Sequence, residues 1–351
     1  MIKNLVFSGG GIKCIAYIGI LKYLEENNMI KDIQSIAGSS GGAIFAFILI
    51  LGYTYHELYL LINGLNFEEI KDVTSDNLFQ FFNNFGIDTG NKLIKLLKLL
   101  INKKYGNNSE NITFLELFDR TKINLTITGT CLDTNSIEYF NHKSTPDMKL
   151  ISALRISFSI PIVYNKVDLN GKIYVDGGLI DNLPIGIFHN DIKNTVGFYL
   201  NTNINNNNNI DIHTIDNYML SILLTLSKKI DLNVLEKYKE YIIIIDVDIS
   251  SIDFKINSHQ KISTIEKGYQ YAKKYFENKK LTKICIKEVK KKITDDQILI
   301  THIYEKIDIN RLNLNLISLN RTKKNIVSNN NIIDNISIFN NIKKNSFLKY
   351  K

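Results

Sequence analysis

The stretch "SIAGSSGGAIFAF", Ser35 to Phe47, sets three glycines and two adjacent serines between a strand-like run and an apolar, helix-like run. Its middle, Gly38-Ser39-Ser40-Gly41-Gly42, spells G-x-S-x-G. On a sharp turn from strand into helix, the central serine is forced into a strained backbone conformation and its hydroxyl is presented outward. The flanking glycines leave room where side chains would collide with the neighbouring strand and helix. The helix that follows offers unpaired N–H groups and the positive end of its dipole to a developing negative charge. The pattern predicts a strand over Ile33–Ala37 and a helix over Ala43–Leu51, apolar nearly all round and therefore central and buried.

Upstream, Asn4–Ser8 reads as a strand, Gly9–Gly11 as a turn and Ile12–Glu26 as a helix. The order strand, helix, strand, helix predicts an α/β fold built on a mostly parallel sheet. Further strands are expected at Leu125–Thr130, Ile137–Tyr139, Lys172–Val175, Thr195–Leu200 and Tyr241–Ile249, the last β-branched through its middle. Helices are expected over Ile151–Ser157 and Ser263–Phe276, and Phe67–Tyr105 reads as mostly helical. Within that segment Lys92, Lys95, Lys98 and Lys103 fall on one face and leucines on the other. Such a helix either lies on a membrane or packs its leucines on its own domain.

The chain has 351 residues, 44% of them hydrophobic and 22% charged, enough for a large core. Its net charge of +8 is unevenly placed. Residues 281–351 hold 14 Lys and Arg against 6 Asp and Glu, whereas residues 1–280 hold 29 of each. This predicts a neutral domain over 1–280 and a basic C-terminal extension over 281–351, partly disordered or directed at an anionic surface. Nucleic acid is not an expected partner. Three cysteines, Cys14, Cys131 and Cys285, lack metal-ligand spacing and argue against a disulfide framework. The opening "MIKNLVFSGGG" reads as a strand entering a turn and not as a signal peptide. The longest apolar run, Ala43–Leu51, is shorter than the roughly 20 residues a bilayer span needs. A cytoplasmic protein, at most peripheral to membranes, is the expectation.

A serine hydroxyl needs a base, and the tetrahedral intermediate it forms needs oxyanion donors. "SGGGIKC", Ser8 to Cys14, can aim successive backbone N–H groups at an anion. Read instead as a nucleotide-phosphate loop, it lacks the Gly-Lys-Ser/Thr ending. Read as a dinucleotide fingerprint, it has Cys14 in place of the third glycine, and the next strand runs into Gly38 and Ser39 without the expected acid. For the base, two models stand. One is a triad drawing on His56, His142, His189, His213, His259 or His302, none in a glycine-rich or strand-end context. The other is an acid acting directly on the serine. In "YVDGGLIDNLP", Asp176 ends a strand before Gly177 and Gly178. It can serve as that acid, or the run can be simply a turn.

Together the three elements, in this order, make the chain resemble the patatin-like phospholipases. The glycine loop Gly9-Gly10-Gly11-Ile12-Lys13-Cys14, the elbow Gly38 to Gly42 and Asp176-Gly177-Gly178 stand where that family has its motifs. "SFSIP" before the last motif, "DNLP" after it with Asn182 and Pro184, and a closing helix extend the likeness over roughly Met1–Phe276. The resemblance implies a three-layer α/β/α domain and a lipid acyl hydrolase with Ser40 as nucleophile and Asp176 as base. The backbone N–H groups of Gly10 and Gly11 would be the oxyanion donors, Lys13 would fix the loop or a lipid phosphate, and no cofactor or metal is implied. One departure is Cys14, where the family usually has a glycine. An acyltransferase using the same acyl-enzyme, and a lipid-binding adaptor without catalysis, are the alternatives.

Overall fold

The computed structural model describes residues 1–74, 81–202 and 214–293. Of the basic extension expected over 281–351, residues 294–351 lie outside these residues. The strands are β1 (Asn4–Phe7), β2 (Ser35–Gly38), β3 (Gly86–Asp88), β4 (Asn124–Cys131), β5 (Ser136–Phe140), β6 (Ile162–Tyr164), β7 (Val167–Leu169), β8 (Lys172–Asp176), β9 (Thr195–Thr202) and β10 (Ile242–Val247). The main helices are α1 (Ala16–Glu26), α2 (Gly41–Ile50), α3 (Asn91–Tyr105), α4 (Leu150–Ser157), α5 (Ile215–Lys237) and α6 (Ser258–Ile293).

The central sheet runs β10-β9-β1-β2-β4-β8-β7, with β5 also on β4. From β10 to β4 every pairing is parallel, while β5 and β8 join β4 antiparallel. Side chains alternate across β1. Leu5 and Phe7 enter a large apolar cluster on one face, and Val6 joins Ala37, Leu183, Ile185, Tyr199 and Ile242 on the other. This is the layered α/β/α arrangement expected, with Phe7 stacked on Phe198 and edge-on to Tyr17 and Phe45 at its centre. On one side of the sheet α1 and α6 cross at two glycines. A side chain on Gly19 would strike the backbone of Ile265, and one on Gly268 the backbone of Ala16.

The chain leaves β1 for β2 on one side and later returns to place β9 on the other. The carboxyl end of β1 is therefore the switch point at which open α/β sheets bind ligands. Register brings β8 to the same place. Gly38 of β2 pairs with Ile127 of β4, and two residues further Gly129 pairs with Asp176. Because β8 runs back down the sheet, its last residue arrives beside the start of the turn that carries Ser40.

Three expectations need correction. Phe67–Tyr105 is interrupted by β3, because Gly86 lies against the Tyr164 backbone, where any side chain would collide, and pairs with β6. Residues Gly11–Ile15 form a 3₁₀ turn before α1, following Gly11 at φ 53°. The closing helix starts at Ser258 rather than Ser263, capped by reciprocal hydrogen bonds between Asn257 and Gln260. As for α3, Leu97, Leu100 and Ile101 are buried in its own domain, so the packing reading of its leucines holds.

Candidate active site

Ser40 sits between β2 and α2 with φ 52° and ψ −128°, in the left-handed half of backbone space that a residue with a Cβ avoids. Such strain costs on the order of 1–3 kcal/mol and persists only where surroundings over-determine it. Here they do. A side chain on Gly38 would meet the Gly42 backbone, and one on Gly42 would meet the carbonyls of Phe7 and Ser8. The Ser40 N–H donates to the Ser157 Oγ of α4 at 2.9 Å. Ser40 itself is 5% exposed.

Asp176 is equally fixed. Its N–H donates to the Ser159 carbonyl at 2.9 Å, and its own carbonyl accepts from Thr130 Oγ1 at 2.9 Å. A side chain on Gly177 would strike Thr128, which explains the first glycine of the Asp-Gly-Gly run. The Gly178 N–H donates to Asp176 Oδ1 at 2.6 Å, while Oδ2 has no hydrogen-bond partner among the described residues. Burial pushes the carboxyl up to about 7, against the downward pull of the Ser40 hydroxyl and the Gly178 N–H. The Ser40 hydroxyl thus faces the carboxyl closely enough to pull on it, without an aligned hydrogen bond in place.

The glycine loop meets this pair from β1. Gly9 donates its N–H to the Asn182 carbonyl at 3.1 Å, and a side chain on Gly9 would press on Ser40 Cβ. The Ile12 N–H goes to Ser251 and that of Lys13 to Gly10, while those of Gly10 and Gly11 have no hydrogen-bond partner among the described residues. The same holds for Gly41, the residue after the serine. Gly41 packs directly against Gly11. Lys13 is buried. Its Nζ donates to the Leu200 carbonyl at 3.3 Å and Thr202 Oγ1 at 3.2 Å, which ties the loop to β9. Burial lowers its pKa to about 8. Cys14 fits against Gly41 in the wall of the apolar pocket, and burial pushes its thiol up to about 12.

Two cavities meet at Ser40. The first, about 1130 Å³ including its open mouth, is almost wholly apolar. Ile44 and Ile48 of α2, Leu93 and Leu97 of α3, and Phe158 and Phe254 are among its walls. The second, about 910 Å³, is the more polar of the two and is bounded by Gly10, Asp176, Asn182, Thr202 and, from α5, Lys228 and Asp231. Asn182 holds this side together. Its Nδ2 donates to Asp231 Oδ2 at 3.0 Å, and the Tyr199 hydroxyl donates to the same oxygen at 2.8 Å. Among the described residues no histidine lines either cavity. His142 stacks on Phe118 and bonds Asn124, and His213 and His302 lie outside the described residues. Among the described residues no three His, Cys, Asp or Glu side chains gather as a metal ion would require.

The family model of patatin-like phospholipase matches residues 5–189, a span that holds all three motifs. The chain belongs to the patatin-like phospholipase family. An uncharacterized protein of Acanthamoeba polyphaga mimivirus is 29% identical over 281 residues, 78% of this chain and 93% of its own length. A probable lipid hydrolase of Invertebrate iridescent virus 6 is 30% identical over 193 residues, 54% of this chain and 64% of its own length. Among solved structures, VipD from Legionella pneumophila superposes with a TM-score of 0.54 over 79% of this chain and 67% of that one, at 16% identity, a likeness of fold.

Ser157, Asn182 and Asp231 gain their places at the site only through the fold. Ser157 and Asn182 stand within the stretches "SFSIP" and "DNLP" that extend the family resemblance, whereas nothing near Asp231 signals it in sequence.

Proposed function

We propose that the chain is a lipid acyl hydrolase working through a Ser40–Asp176 dyad. Ser40 Oγ attacks the ester carbonyl and its proton passes to Asp176. The carbonyl oxygen, now carrying the charge, sits against the unpaired N–H groups of Gly10 and Gly11, with Gly41 beside them. Collapse of this intermediate breaks the bond to the alcohol, which leaves with the proton from Asp176. The acyl group remains on Ser40. Asp176 then takes a proton from water as the water attacks, and returns it to Ser40 when the acid departs.

The observation that carries this reading is the strained, nearly buried serine facing a carboxyl held near pH 7. A base whose pKa lies near the working pH combines a usable ionised fraction with proton affinity. The two cavities fit the two halves of an amphiphilic ester. The acyl chain lies along Ile44 and Ile48, and the polar alcohol lies toward Asn182 and Thr202. Membership of the family and likeness to a probable lipid hydrolase support the same class of reaction.

The test is incubation with a panel of radiolabelled phospholipids and glycerides, with product identification, for the wild type, Ser40→Ala, Asp176→Asn and the double variant. Residues acting as one unit lose activity together, so the double variant should be little worse than either single one. Strict additivity, or normal turnover by Ser40→Ala, would count against the dyad.

A further inference from the structure

Helix α5 is built inside out for a helix exposed to water. Tyr218, Met219, Ile222, Leu226 and Ile230 share one face at spacings of three and four, and they are 50%, 43%, 39%, 60% and 41% exposed. The opposite face carries Leu220 and Asp231, both buried, with Asp231 bonded to Asn182 and Tyr199. The polar group therefore points inward and the apolar stripe outward. Helix α3 shows the ordinary arrangement, with Leu97, Leu100 and Ile101 buried.

Location decides what covers this stripe. Helix α5 borders one of the two cavities that meet at Ser40 and lies beside a depression that adjoins the other. Leu224, Ser227, Lys228 and Asp231 line the polar cleft. Leu220 shares a depression with Val163, Ile252 and Phe254, which also line the apolar pocket. The helix that bears the outer face thus forms a wall of the cleft that reaches Ser40. Lys228 and Lys229 are both exposed, and Lys229 falls within the arc of the apolar stripe. Apolar side chains with an amphipathic Tyr and the exposed Lys229 among them match a surface of acyl chains beneath anionic headgroups. No described helix is long and apolar enough to cross a membrane, so this one would lie along the surface.

We propose that the outer face of α5 is the docking surface by which the protein seats on an anionic lipid interface, with the entrance to Ser40 turned toward it. The proposal rests on the reading of Ser40 as a lipid-hydrolysing nucleophile, and its test separates the two. The chain contains no tryptophan, so a single introduced one reports its own surroundings. In the full chain, Leu226→Trp should shift its emission to the blue on adding vesicles of phosphatidylcholine and phosphatidylserine in a 4:1 ratio. It should also be quenched by brominated acyl chains. Leu115→Trp, exposed on the helix that precedes the amino end of β4, should do neither. Ile222→Glu with Leu226→Glu should weaken vesicle binding about tenfold or more. Hydrolysis of vesicle lipid should fall in step, while turnover of the soluble ester p-nitrophenyl butyrate stays within about twofold.

Unshifted Leu226→Trp emission on vesicles would overturn the docking surface. So would a Glu pair that converts a dimer to a monomer without altering vesicle binding, because the stripe would then belong to a second copy. If the wild type binds vesicles through this face yet hydrolyses neither ester nor lipid, the docking surface stands and the hydrolase reading fails.

Discussion

The backbone N–H of Ser40 donates to the Oγ of Ser157, 117 residues away, at 2.9 Å. This bond joins the strained turn to α4, the helix that leads to Ser159 and its grip on the Asp176 N–H. The proposed nucleophile and base are thus held from a common support. Ser157 is fully buried. Ser157→Ala would leave the Ser40 N–H without an acceptor, at a cost of about 1–3 kcal/mol. The variant should melt lower than the wild type and lose about tenfold in kcat on a soluble ester, with KM little changed. Wild-type melting and kcat would mean that the glycines alone hold the turn.

The raised pKa of Asp176 gives activity and stability opposite pH dependences. The base acts when ionised, so kcat/KM should climb as pH rises through about 7 and level off above it. The folded protein binds this proton more tightly than the unfolded chain does. Its contribution to stability is therefore fully present below the ordinary carboxylate value of 3.8 and is lost as pH rises through about 7. At pH 8 the ionised, buried carboxylate costs on the order of 4 kcal/mol. Asp176→Asn should therefore be inactive yet melt above the wild type at pH 8. The gain should shrink below pH 7 and vanish near pH 4. Asp181, raised to about 6, titrates in both proteins and cancels in the comparison. Thermal melts of the two proteins across this range check the sign.

Ile44 and Ile48 line the apolar pocket one and two helical turns beyond Ser40. If that pocket takes the acyl chain, Ile48→Trp should block its deeper part. Turnover of long-chain p-nitrophenyl esters should then fall at least about tenfold while that of the butyrate ester changes little. A uniform loss across chain lengths would place the acyl chain elsewhere.

Cys14 should be chemically quiet. With burial pushing its thiol up to about 12, little thiolate forms at pH 8. Iodoacetamide should leave it unmodified in the folded protein, as read by peptide mass. Cys14→Ala, which keeps a small side chain against Gly41, should retain activity within a few-fold. Rapid alkylation would mean that the thiol, partly exposed on the pocket wall, ionises near neutral pH.

The parts legible in the sequence are those whose signal is local. Gly38 to Gly42 announces its turn because a strained serine between strand and helix needs small neighbours on both sides, and the structure shows the carbonyls they avoid. The strands of the central sheet other than β7 are mostly apolar and β-branched and are readable for that reason, whereas Val167–Leu169 is too short to carry a pattern. The β3 strand is not readable either, since three residues ending in Asp88 carry no period and owe their state to pairing with β6. Helix α5 escaped because its outward stripe runs against the usual sense of an amphipathic pattern and its inward face is partly polar. The support that Ser157, Asn182 and Asp231 give the site depends on contacts between residues 40 and 157, 9 and 182, and 182 and 231, which no local pattern encodes.

The most direct test of the central claim is to locate the adduct of a fluorophosphonate probe. Such probes react only with a serine that is activated and provided with an oxyanion site. Peptide mass mapping should place a single adduct on Ser40, absent from Ser40→Ala and formed far more slowly in Asp176→Asn than in the wild type. An adduct on another serine, or labelling of Ser40 at the same rate in Asp176→Asn, would contradict the proposed dyad.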